Sequence, residues 1–214
     1  MVKAVLFDLD GTLLDTLPDI QYVLNETLRK FDYPEITVEQ TRAYIGEGAY
    51  RLVERALPAN AENMEEVFEY FKGVYASCNN EHTRPFDGVM DLLARLKAQG
   101  VKLAIITNKP QAATEECVKQ FFPGIFDFVA GDGGLFPCKP DPSLARYAAL
   151  NLRVSPAECT FVGDGETDAL TAKNAGMFGV SVLWGYRSKE QLEAVGAKRF
   201  ASSFEELEKI VFGG

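Results

Sequence analysis

The feature that most constrains this chain is a short apolar run near its start, Ala4-Val5-Leu6-Phe7, which stops abruptly at Asp8-Leu9-Asp10-Gly11. The run does not alternate with polar residues. A strand built from it is therefore covered on both faces, as in a parallel sheet. Comparable runs recur at Val101 to Ile106, Phe126 to Ala130, Thr160 to Val162 and Val180 to Leu183. Between them the apolar spacing becomes helical: Val89, Leu92, Leu93 and Leu96 share one face, and Gly100 closes the segment. Pro110 suits the first position of the next helix. Ser188 with Gln191, and Ser203 with Glu206, have capping-box spacing for two late helices. Strands alternating with helices predict an α/β fold built on a doubly wound, mainly parallel Rossmann-like sheet.

One stretch breaks the alternation. From about Asp15 to His82 the spacing is helical and no strand is predicted. Ile20, Val23, Leu24, Thr27, Leu28 and Phe31 form one stripe, and Met64, Val67, Phe68, Phe71, Tyr75 and Cys78 another. Leu52, Val53, Ala56 and Leu57 form a shorter one between them. The expected organisation is an α/β core over residues 1–14 and 83–214, with a helical insertion over 15–82. Packing a small core of its own is the plain role of such a block. Lying as a lid over the strand ends is the functional one, and His82 is expected at the junction.

Charge narrows the partners. Lys plus Arg number 22 against 31 Asp plus Glu, a net charge of −9. That balance disfavours nucleic acid, whose phosphates need basic patches, yet a local cation can still admit a small anion to one cleft. No apolar run is long enough for a membrane span. Cys78, Cys117, Cys138 and Cys159 lack zinc-site spacing, so a reduced, cytoplasmic chain is expected, as monomer or homodimer.

Four polar clusters interrupt the apolar pattern. In Asp8-Leu9-Asp10-Gly11-Thr12, a turn accounts for Asp10-Gly11 but not for Asp8. An acid at the end of a buried strand is costly unless it is paired or holds a metal. Gly163-Asp164-Gly165-Glu166-Thr167-Asp168 follows a second strand and adds oxygens suited to a hard cation such as Mg²⁺. Helix-start electrostatics is the plainer role for Asp168. Thr107 and Asn108 end a third strand, where they could hold phosphate oxygens or simply cap a helix. Lys139 stands between Cys138 and Pro140. It is either a solvated surface charge or an ammonium aimed by a rigid turn into a cleft. Cys138 beside it is a candidate redox-sensitive thiol, with a packed thiol the plainer reading.

Taken together, Asp8-x-Asp10-Gly-Thr, Thr107, Lys139-Pro140 and Gly163-Asp164 with Asp168 resemble, in order and spacing, the haloacid dehalogenase superfamily of phosphohydrolases. The likeness spans essentially the whole chain. The insertion after the first motif is similar to that superfamily's helical cap, and the implied order of the core strands is 5-4-1-2-3. Gly46-Glu47-Gly48 with Leu52-Val53-Glu54-Arg55-Ala56-Leu57, and Trp184-Gly185-Tyr186 with Ser203-Phe204-Glu205-Glu206-Leu207, resemble the phosphoglycolate phosphatase-like branch.

The resemblance implies a Mg²⁺-dependent phosphatase of small phosphorylated metabolites, acting through an aspartyl-phosphate. It makes Asp8 the nucleophile and Asp10 the proton donor and base. Metal ligands are Asp8, the Asp10 carbonyl, Asp164 and Asp168. Thr107 and Lys139 hold the transferring oxygens, with Asn108 assisting. Gly46, Glu47, Gly48 and Arg51 are the expected substrate-binding residues of the cap. Two positions depart from the family. Gly165 replaces a frequent Ser, and Glu47 puts a carboxylate where a neutral residue is usual, which opposes a substrate acid such as glycolate. Arg51 is expected to meet either an anionic tail or Glu47. Alternatives are a β-phosphoglucomutase-like sugar-phosphate mutase, a pyrophosphatase or nucleotidase, and a non-catalytic ligand-binding module.

Overall fold

Alternate residues of the first strand, β1 (Ala4–Phe7), enter two different hydrophobic cores. Val5 and Phe7 face one, Ala4 and Leu6 the other, and all four are buried. This double burial is why the run carries no polar alternation. The computed structural model describes residues 2–213. After β1 come β2 (Leu14–Asp15), the helices α1 (Leu17–Lys30), α2 (Val38–Tyr44), α3 (Ala49–Ala56) and α4 (Met64–Ala76), and β3 (Arg84–Pro85). The chain then alternates through α5 (Val89–Ala98), β4 (Lys102–Pro110), α6 (Gln111–Phe121), β5 (Phe128–Asp132) and α7 (Ser143–Asn151). It ends with β6 (Cys159–Gly163), α8 (Glu166–Ala175), β7 (Phe178–Val182), α9 (Lys189–Ala194), β8 (Phe200–Ala201) and α10 (Phe204–Gly213).

Six strands form one parallel sheet in the order β5-β4-β1-β6-β7-β8. Counted along the core, its first five strands run 3-2-1-4-5. This is the expected 5-4-1-2-3 read from the opposite edge, with β8 added at that edge. Leu92, Leu93 and Leu96 of α5 and Leu207 and Val211 of α10 cover one face. The alanines of α7 and α8 cover the other. The strand order reverses direction beside β1, so the carboxyl ends of β1, β4 and β6 open onto the crevice where ligands bind in such sheets.

Several boundaries differ from the sequence reading. β5 begins at Phe128 rather than Phe126, because the Asp127 carboxylate accepts the Leu103 N–H at 2.9 Å ahead of the regular ladder. β7 runs from Phe178 rather than Val180. β4 continues to Pro110, with its register broken between Ile106 and Pro110. Pro110 consequently caps α6 instead of occupying its first position. The two-residue strands β2, β3 and β8 are too short to show a period of two.

The stripes of α1, α3 and α4 meet in a third hydrophobic cluster containing Leu24, Leu28, Val53, Val67 and Phe71. β2 and β3 pair antiparallel, Leu14 with Pro85 and Asp15 with Arg84, so the two connections to the insertion lie side by side. Buried Asp19 ties this junction. It accepts from the backbone N–H groups of His82 and Thr83, and from the Thr83 hydroxyl at 2.6 Å.

Candidate active site

The first acidic cluster is held by its apolar neighbours. Leu9, Leu13 and Leu14 are fully buried, while backbone bonds from Leu13 and Leu14 to the Leu9 carbonyl fold the segment into a tight turn. Asp8 still donates its N–H to Val162 at 2.9 Å, extending the ladder between β1 and β6. Its side chain thereby faces Asp164, at the end of β6, and Asp168, in the first turn of α8. One carboxylate oxygen from each of the three lies within 4.8 Å of the others, and all three residues are buried.

Close backbone approach makes this possible. A Cβ on Gly11, whose φ is +80°, would lie 2.5 Å from Asp164 Oδ2. A Cβ on Gly163 would lie 2.2 Å from Asp168 Cγ. Asp164 accepts from the Thr12 hydroxyl at 3.0 Å and the Tyr186 N–H at 2.8 Å. Asp168 accepts from the Gly165 N–H at 2.9 Å, so it serves the helix start as well as the cluster.

Lys139 is not a surface charge. Its side chain is 2% exposed, and it donates to Asp168 Oδ1 at 2.6 Å. Its ammonium also lies 2.9 Å from Asp8 Oδ1, but not in hydrogen-bonding geometry, so that buried oxygen has no hydrogen-bond donor. Burial works against the ammonium, yet Asp168 and Asp8 outweigh it and hold its pKa above the ordinary lysine value. Three acids against one base leave negative charge in excess. Burial and Asp168, reinforced by Asp164 and only partly offset by Lys139, push Asp8 up to about 8. Burial and Asp168 push Asp164 up to about 6, against the bonds from Tyr186 and Thr12.

Asp10 lies apart from this cluster. Its carboxylate pairs with Lys109 at 3.0 Å. Thr107 is buried and accepts the Lys109 N–H at 3.2 Å, leaving its hydroxyl proton available to the cavity. Asn108 lines the same cavity. Its amide donates to the carbonyls of Gly46 and Lys139, each at 3.0 Å, and accepts the Lys139 N–H at 2.7 Å. That side chain ties the insertion to the Lys139 loop. Neither Thr107 nor Asn108 caps a helix, since α6 begins only at Gln111.

A cavity of about 650 Å³ joins these groups to the insertion, where Gly46, Glu47 and Gly48 line it. Arg51 does not line it. It is exposed and pairs with Glu54, whereas Arg55 lines the cavity and binds Glu47 at 2.5 Å. The spacing Gly48, Leu52, Arg55 marks this face of α3, and it passes over Arg51. Arg187, which the sequence reading did not single out, fixes the same loop to the core. It donates to the carbonyls of Arg42 and Ile45, at 2.8 and 2.5 Å, and to Glu166 at 2.8 Å. Cys138 is half-buried, and burial pushes its thiol pKa up.

Residues 5–182 match the family model described as haloacid dehalogenase-like hydrolase. The chain belongs to that family. This haloacid dehalogenase-like hydrolase is 32% identical to a phosphoglycolate phosphatase of Colwellia psychrerythraea, over 96% of this chain and 95% of that one. A crystal structure from Lactobacillus delbrueckii subsp. bulgaricus, provisionally assigned as a phosphoglycolate phosphatase, superposes with a TM-score of 0.93 at 33% identity, covering 99% of each chain. CbbY of Rhodobacter sphaeroides, solved with xylulose-(1,5)bisphosphate, superposes with a TM-score of 0.81 at 26% identity, covering 97% of this chain and 96% of that one. The hydrolase is thus a phosphoglycolate phosphatase-like phosphoric monoester hydrolase. Among its described residues, no helix is long and apolar enough to cross a membrane.

The acid cluster of this hydrolase fits a divalent cation on its own chemistry. Its donors are all carboxylate oxygens, one of them is buried without a donor, and the charge excess raises the pKa of Asp8 and Asp164. An oxygen-ligated dication relieves all three conditions at once.

Proposed function

We propose that this chain hydrolyses small phosphomonoesters of the phosphoglycolate type, with Mg²⁺ held by Asp8, Asp164, Asp168 and the Asp10 carbonyl. The observation that carries this reading is the meeting of Asp8, Asp164, Asp168 and Lys139 at the carboxyl end of the sheet. When bound, the ion lowers the repulsion between the acids and a phosphate dianion and keeps Asp8 ionised.

Asp8 then attacks phosphorus in line, and the ester oxygen leaves as an aspartyl-phosphate forms on Oδ. Asp10 gives its proton to the leaving oxygen, then takes one from the water that opens the intermediate. Lys139 and the Thr107 hydroxyl hold the transferring oxygens as charge develops on them. The helical block over 15–82 acts as the cap. It excludes water while the ester reacts and admits it afterwards. In the cap, the Gly46-Glu47-Gly48 loop and Arg55 face the leaving group, which makes them the selectors of substrate.

A phosphate-release panel tests this reading. Phosphoglycolate, sugar mono- and bisphosphates, nucleotides and pyrophosphate are each supplied with Mg²⁺ or with chelator. Stoichiometric inorganic phosphate from a small monoester, abolished by chelation, is expected. Isomerised product without phosphate would assign a mutase. Silence across the panel would leave a binding module.

A further inference from the structure

The proposed chemistry leaves one buried lysine unused. Lys109 stands near the end of β4, two residues beyond Thr107, with its side chain 2% exposed. Its ammonium lies 3.0 Å from Asp10 Oδ1 and donates to the Tyr75 hydroxyl. The Tyr75 ring centroid is 4.8 Å away. Tyr75 belongs to the last turn of α4, buried against Phe71 at a centroid distance of 5.3 Å. One ammonium therefore joins a core strand, the Asp10 turn and the helical insertion.

A lysine so placed is costly. Burying its charge requires close partners, and an apolar chain of the same length would pack the site at least as well. What the charge adds is direction. An aspartate has two free torsions, and an ammonium at hydrogen-bonding distance fixes them. The ammonium is itself fixed by a hydroxyl that arrives only with the insertion. Proton transfer to an ester oxygen tolerates little misplacement.

We infer that Lys109 is a positioning residue that holds the Asp10 side chain in its working orientation, and that Tyr75 makes this hold depend on the docked insertion. The inference rests on the phosphatase reading, in which Asp10 exchanges protons with the ester and with water. Lys109 acts through Asp10 and does not share the phosphate-holding role given to Thr107 and Lys139.

Steady-state kinetics on phosphoglycolate, or on the best ester of the panel, decide the matter. Wild type, Lys109→Met, Tyr75→Phe and the double variant are compared at saturating Mg²⁺, each checked for folding by circular dichroism and thermal melting. Lys109→Met is expected to lower kcat by about 10- to 100-fold, with KM within about twofold, as for a misplaced catalytic group. Tyr75→Phe is expected to lower kcat by a smaller factor, and that loss should vanish in the Lys109→Met background. A folded Lys109→Met with wild-type kcat would overturn the inference. So would a raised KM at unchanged kcat, which marks a substrate contact, or fully additive losses in the double variant. Should Lys109→Met not fold, Tyr75→Phe keeps the ring in place, and an unchanged kcat there is equally contrary. A wild type inactive on every ester would instead defeat the phosphatase reading on which the inference stands.

Discussion

Lys139 and Asp168 meet at 2.6 Å, both 2% exposed, across 29 residues of chain. The pair orients the ammonium beside Asp8, and the lysine's own backbone is pinned by Asn108 at 2.7 Å. Removing the ammonium leaves two carboxylates facing each other without a fixed cation. Lys139→Ala is expected to lose about 2–4 kcal/mol of transition-state stabilisation, the range for deleting one oxyanion donor. The check is kcat/KM on a folded variant. An unchanged value would return Lys139 to a purely structural place.

Acid titration gives a second prediction, read without turnover. Asp8 at about 8 and Asp164 at about 6 both stand above the ordinary 3.8. In the metal-free protein the folded state therefore keeps protons that the unfolded chain has released. The cluster's contribution to stability is full below the unfolded value, falls as pH rises, and is lost above about 8. A dication competes with those protons. The rise in Tm caused by Mg²⁺ should therefore be larger at pH 8.5 than at pH 5.5. An equal rise at both pH values would mean that the ion binds elsewhere.

Gly11→Ala probes the cradle beneath Asp164. The new methyl would meet Asp164 Oδ2 at 2.5 Å, and a φ of +80° strains any L side chain there. Stability should fall by roughly 1–3 kcal/mol. Mg²⁺ affinity, measured by calorimetry, should fall by about tenfold or more as the carboxylate is displaced. Wild-type affinity in this variant would show that Asp164 has room to move.

In the cap, Glu47 occupies Arg55 at 2.5 Å on the cavity wall. Glu47→Gln frees the guanidinium. For an ester with a second anionic group, kcat/KM should rise by about three- to fivefold, the scale of a partly exposed ion pair. For an uncharged aryl leaving group it should stay level. A fall for the anionic ester would make Glu47 itself a substrate contact.

Much of this arrangement was legible in the residues, for a physical reason. Buried parallel strands are short apolar runs, so the acids ending β1 and β6 stood out against them. Lys139, bracketed by Cys138 and Pro140, reads by itself as a surface charge; only the resemblance points to a site role, and the fold shows it 2% exposed. Lys109 was passed over because one lysine ending a strand carries no local mark. Its partners, Asp10 and Tyr75, lie 99 and 34 residues away. Thr12 and Tyr186, which hold Asp164, are likewise joined to it only by the folded chain, at separations of 152 and 22 residues. Arg55 was within reach, since helical spacing from Gly48 through Leu52 passes over Arg51 and arrives at it.

The nucleophilic role of Asp8 is decided by phosphate release from p-nitrophenyl phosphate with Mg²⁺ by wild type and Asp8→Asn, both confirmed folded. Steady release by wild type and none by the variant are expected, because the attacking carboxylate is gone. Substantial release by Asp8→Asn would contradict that role.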